Sequence, residues 1–219
     1  NHTVSWANDR FEINRTAGFI VPRGNKWSVN IYVAEEIGNT YKGALRLVPV
    51  GLPKGVKMIA PDYTPGMNGV PCLFIADPDA SPAAQLFHIR LKRLDDDGFV
   101  DTSSQAYIPF INHSGGRSWH HAHLMSYALG VVESSPFTID VAQPTIPISQ
   151  AGELRLQVRI NRNEGFTGAV EMQPDWYPPG VSAGELLVIP EGETEADFVL
   201  SASASAKPGI YRMTMNGHT

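Results

Sequence analysis

The chain has one cysteine, Cys72, in 219 residues. That excludes an internal disulfide, and with it the small stapled folds that depend on one. Cys72 sits in the apolar run 70–76 with no cationic neighbour, so it reads as a small buried apolar group and not as a reactive thiol. No apolar run approaches the ~20 residues that a membrane-spanning helix needs. Positive charge is scarce: 17 Lys and Arg stand against 22 Asp and Glu, the net charge is −5, and the cations form no cluster. Nucleic acid is excluded as a partner on that ground, because phosphate binding needs gathered cations. No G-x-S-x-G elbow is expected, and there is no H-E-x-x-H, no glycine-rich phosphate loop and no C-x-x-C. The chain begins at Asn1 without an initiator Met or a leader-like segment, and the expectation is an excised fragment of a larger protein.

Glycine and proline are plentiful, at 20 and 17. They fall between short apolar runs, at Gly165, Gly168, Pro178-Pro179-Gly180, Gly184, Pro190, Gly192 and Pro208-Gly209. The runs alternate with period two. Leu154, Leu156, Val158 and Ile160 are interleaved with Arg155, Gln157, Arg159 and Asn161. Tyr211, Met213 and Met215 alternate in the same way, and residues 137–141, 186–189 and 196–202 supply further strands. About seven short strands in the last ~85 residues is the strand count of an immunoglobulin-like sandwich.

A looser copy of this pattern lies upstream. Residues 28–56 align with 153–181 at a constant offset of 125, without gaps. Val33 matches Val158, Gly43-Ala44 matches Gly168-Ala169, Pro49 matches Pro174, Pro53 matches Pro178, and Gly55-Val56 matches Gly180-Val181. Proline stops a ladder, glycine allows a tight turn and valine starts the next strand. Residues 57–71 read as a loop insertion in the first copy, and 82–91 resemble 208–215. Residues 95–98 read as a charged turn. Residues 105–111 and 119–132 read as two strands of an extra hairpin, joined through 112–118. Phe11 and Ile13 suggest a lead-in strand. The fold expected is all-β: two tandem immunoglobulin-like β-sandwiches, the first with the extra β-hairpin, over residues 1–133 and 134–219.

The runs GFTGAV, YPPGV, LLVIPEG, FVLSASASAKPG and YRMTMNG resemble the Ig-like repeats that occur in tandem in large secreted or envelope bacterial proteins. Such proteins often also carry pre-peptidase C-terminal-type domains. The phrases Tyr127-Ala-Leu-Gly-Val-Val and Pro136-Phe-Thr-Ile-Asp-Val are similar to their inter-repeat segments, as is Val21-Pro-Arg-Gly-Asn25. The resemblance implies the sandwich fold and an extracytoplasmic setting: secreted, periplasmic or cell surface. It implies no catalytic residue.

Four features could carry chemistry. His113, His120, His121 and His123 lie about the hairpin, and His113, His121 and His123 could gather on one zinc or copper ion. The plainer reading is half-buried histidines, since no Asp or Glu is near in sequence to act as a base or to orient an imidazole. Asp77 and Asp79, and Asp95, Asp96, Asp97 and Asp101, could hold calcium, but they lack the ligand spacing of an EF-hand and also suit ordinary turns. Trp176 and Tyr177 could stack on a sugar or a partner, or cap the sandwich. Asn1, Asn14 and Asn112 each open an N-x-S/T pattern. No catalytic, cofactor or metal residue is assigned. The leading expectation is a non-catalytic structural or adhesive module whose partners are other domains of the same polypeptide. The alternatives are a carbohydrate- or protein-binding accessory module of a secreted hydrolase, and a metal-dependent enzyme built on His113, His121 and His123.

Overall fold

Strand alternation decides the architecture. The computed structural model describes residues 18–32, 41, 43–67, 69–103, 106–112 and 118–219. Among these all regular structure is β-strand, and no helix is long and apolar enough to cross a membrane. The chain divides into two compact units, Asn1–Ser134 and Ser135–Thr219.

The first unit holds β1 (Gly18–Pro22), β2 (Lys26–Tyr32), β3 (Leu45–Val50), β4 (Val56–Ile59), β5 (Gly69–Ala76), β6 (Ala83–Arg93), β7 (Phe99–Ser103), β8 (Ala106–Asn112), β9 (Ser118–Leu124) and β10 (Tyr127–Val132). One sheet runs β1-β10-β6-β3, with β7 added to β6, and a second runs β2-β5-β4. β1 lies parallel to β10, with Phe19 beside Leu129, and the other pairs are antiparallel. Every second residue of each sheet faces the other sheet. Val29, Ile31 and Phe74 meet Phe87, Ile89 and Leu129 in one buried cluster. The Phe74 ring lies 4.7 Å from Phe19 and 5.5 Å from Phe87. Burying each such side chain contributes about 1.5–3 kcal/mol.

The second unit holds β11 (Phe137–Val141), β12 (Glu153–Arg162), β13 (Val170–Pro174), β14 (Val181–Ala183), β15 (Leu187–Ile189), β16 (Glu195–Ala202) and β17 (Met215–His218). Its sheets run β11-β12-β16-β14 and β15-β13-β17, all antiparallel. Leu156, Val158 and Ile160 of β12 pack with Val170, Met172 and Phe198.

The Pro-x-Gly-Val stretches form the same turn in both units. The Val56 N–H donates to the Pro53 carbonyl at 3.1 Å, and the Val181 N–H to the Pro178 carbonyl at 2.9 Å. Gly55 and Gly180 take φ of 80° and 82°, a region that suits glycine. The Gly55 carbonyl accepts from Asp77 N–H, and the Gly180 carbonyl from Ser203 N–H, each at 2.8 Å.

Four expectations need correction. Val56 pairs with Ala76, twenty residues on, whereas Val181 pairs with Ala202, twenty-one residues on. Residues 57–71 are therefore no insertion relative to the second unit. The strand expected over 119–132 is two strands, because 118–124 pair with β8 while 127–132 pair with β1 and β6. Residues 99–103, between the charged turn at 95–98 and the hairpin, carry no expected element and form β7. Only Met215 onward is strand in the final stretch, because β13 ends at Pro174 and one bond, from Asp175 N–H to the Thr214 carbonyl (3.1 Å), extends the ladder. Phe11, Ile13 and Val33 lie outside the described residues.

Candidate functional site

The histidine hairpin is the first candidate. β8 and β9 form a two-stranded sheet in which His123 is the register partner of Tyr107, His121 of Pro109, and His120 of Ile111. The register shifts between Pro109 and Ile111, so the simple alternation assumed from sequence is interrupted at the centre of the cluster. His113 and the side chains of His120, His121 and His123 lie outside the described residues, as do Asp101 and Trp119 beyond their backbone. The acceptor patterns opened by Asn1, Asn14 and Asn112 also fall there in whole or in part. Among the described residues no group of three or more His, Cys, Asp or Glu could hold a metal ion.

The acidic groups build turns. Asp77 and Asp79 follow β5, where the Ala80 N–H donates to the Asp77 carbonyl at 3.1 Å. Both aspartates are exposed. In the bend between β6 and β7, Asp96 accepts from Arg93 Nε and from the Gly98 N–H, each at 2.9 Å. Asp97 pairs with Lys92 Nζ at 2.8 Å, and that ammonium holds its carboxyl below the usual carboxylate range. Asp95 is exposed at the start of the bend. The carboxylates of Asp96 and Asp97 are thus engaged with cations of their own β6.

Three readings of single residues are settled by burial. Trp176 is 5% exposed and its ring lies 6.2 Å from Tyr211, so it caps the unit and offers no open stacking face. Tyr177 is half-buried against the core of the second unit. Cys72 is fully buried, its thiol donates weakly to the Val70 carbonyl at 3.5 Å, and burial pushes the thiol pKa up. A thiol so placed is a poor nucleophile, because the thiolate is the reactive form.

One catalytic spacing escaped the motif reading above. Gly180-Val-Ser182-Ala-Gly184 fits G-x-S-x-G. The hydrolase elbow needs that serine on a sharp strand-to-helix turn. Ser182 instead lies inside β14, in register with Ser201 of β16, and no helix follows. The spacing therefore lacks the geometry that gives it meaning.

Two features were not legible in sequence. The first is a groove in the second unit. β11 leaves β12 after a last bond from the Ala142 N–H to the Gln157 carbonyl (2.9 Å), and a groove of about 480 Å³ opens between residues 142–146 and 153–157. Exposed Ile146 and half-buried Leu154 give it an apolar wall, and Glu153 and Arg155 are its charged residues. The second is Asp175, just past β13. Its carboxylate accepts from Asn216 Nδ2 at 3.2 and 3.4 Å and from the Thr214 hydroxyl at 3.5 Å. Thr214 and Asn216 are buried. Burial pushes the Asp175 pKa up to about 7, opposed by the Thr214 hydroxyl. An aspartate before Trp-Tyr-Pro-Pro reads as a turn residue, and its partners are 39 and 41 residues away, so no local signal marks the cluster.

Comparison with known proteins finds no matching family model and no matching curated relative.

Proposed function

We propose that the chain is a pair of tandem immunoglobulin-like sandwiches serving as a non-catalytic structural or adhesive part of a larger extracytoplasmic bacterial protein. The observation that carries this reading is strand order. In the second unit β11-β12-β16-β14 follows the A-B-E-D order of an immunoglobulin sheet. In the first, β2-β5-β4 follows B-E-D, and β3, β6 and β10 follow C-F-G. The shared Pro-x-Gly-Val turn supports a tandem origin, and the sequence resemblance supports the extracytoplasmic setting. On this reading the β8–β9 hairpin is an insertion between strands F and G. Loops at the ends of such sandwiches commonly carry recognition, which favours an adhesive role.

Force spectroscopy of the chain between inert handles tests the structural reading. Two separate unfolding events are expected, one lengthening the chain by roughly 280–300 Å as the 85 residues of Ser135–Thr219 extend. A single event releasing the whole chain overturns it.

The groove along β12 favours a second reading, a module that binds an extended polysaccharide or peptide strand. Affinity electrophoresis against cell-wall polysaccharides separates the two readings. Saturable retardation that Ile146→Asp removes establishes the second.

A further inference from the structure

The Asp175 cluster fastens two pieces of chain. On one side is the end of β13; on the other is the stretch 208–214, which leads into β17. The Asp175 N–H donates to the Thr214 carbonyl at 3.1 Å, and its carboxyl group is hydrogen-bonded to the side chains of Thr214 and Asn216. The ring of Trp176, the next residue, lies 6.2 Å from that of Tyr211, and the Tyr211 hydroxyl donates to the Lys207 carbonyl at 3.3 Å. Residues 208–214 are otherwise outside the strand ladder, open with Pro208-Gly209, and carry the fully exposed Ile210.

We propose that Asp175 is a proton-controlled latch that holds residues 208–214 closed against the end of β13. A neutral carboxyl satisfied by an amide and a hydroxyl costs little to bury, whereas a carboxylate there resists burial. Among the described residues, the ionisable groups on the elements that carry the latch are Glu171 on β13, Tyr177 after it, His218 on β17, and Lys207, Tyr211 and Arg212 on or beside the stretch 208–214. The shift of Asp175 comes from burial, with the Thr214 hydroxyl opposing. A folded-state pKa raised from 3.8 to about 7 means that the folded form keeps a proton the unfolded form has lost within that window. The stability this group contributes is therefore present at acid pH and is lost as pH rises towards 7. The latch opens as pH rises and closes as it falls.

Amide hydrogen exchange on the whole chain tests this, comparing wild type with Asp175→Asn between pH 5.5 and 8.5 after correction for intrinsic rates. The Asp175 amide of the wild type is expected to lose protection about 10–100-fold relative to the variant, most of it between pH 5.5 and about 7 and little above that. Equal protection in the two proteins across the range overturns the latch. If Asp175→Asn does not fold, the carboxyl carbon of Asp175 in the wild type decides by its NMR titration. A midpoint near 7 at which the Trp176 indole also loses protection upholds the proposal. A midpoint in the ordinary carboxylate range, or an indole that does not respond, overturns it.

Discussion

A Cβ placed on Gly180 would lie 2.6 Å from the Ala206 Cα, closer than any relaxed contact permits. The partner atom is backbone and cannot swing aside. The φ of 82° adds its own penalty of about 1–2 kcal/mol for any residue with a side chain. Gly55 makes the matching turn in the first unit, but a Cβ there lies 3.0 Å from the Ala80 Cβ and 3.4 Å from its Cα, a milder clash that a displacement of a few tenths of an ångström removes. Gly180→Ala is thus expected to destabilise its unit by more than Gly55→Ala does, with about 2–4 kcal/mol for the former and about 1–2 for the latter. Urea titration followed by segment-resolved hydrogen exchange reads both. Equal losses at the two positions would refute the steric part of this account.

Cys72 reports on the first unit without added labels. Its thiol is sealed beneath both sheets and held protonated by burial, so a disulfide reagent at pH 8 should leave it unmodified for as long as the core stays closed. Phe74 stands two residues further along β5 on the same inward face. Phe74→Ala removes the ring that joins Phe19 to Phe87 and is expected to cost about 3–5 kcal/mol. Labelling of Cys72 should then rise by at least a hundredfold, in proportion to the open population. Rapid labelling of the unmodified protein would mean that the first core is not closed.

Period-two patterning made most strands readable. β12 alternates along its whole length with one dry face, and the Pro-x-Gly-Val turns announced both β4 and β14. What was not readable depends on contacts far apart in sequence. The break at Met125 and Ser126 needs neither glycine nor proline; it arises because the two halves of 119–132 pair with different partners. β7 is short and borrows its stability from β6, where Arg90 lies over the Phe99 ring at 3.8 Å. Asp175 looked like a turn residue because Thr214 and Asn216 reach it only once β13 and β17 are side by side. The G-x-S-x-G spacing shows the converse: a local pattern with catalytic meaning elsewhere is here part of a paired strand.

The hairpin histidines give the sharpest test of whether the chain is catalytic. His121 and His123 are two apart on β9, with Pro109 and Tyr107 as their register partners. A His-x-His strand pair supplies two ligands, and zinc or copper needs at least one more, for which the hairpin region offers His113 and His120. The proposed structural role needs no metal. Elemental mass spectrometry of the purified chain is therefore expected to find zinc and copper well below one equivalent, with no change in His121→Ala. One equivalent of either metal that disappears in His121→Ala would replace the structural reading with a metal-centred one. The imidazoles would then be ligands whose affinity falls below about pH 6, as protons compete for the same nitrogens.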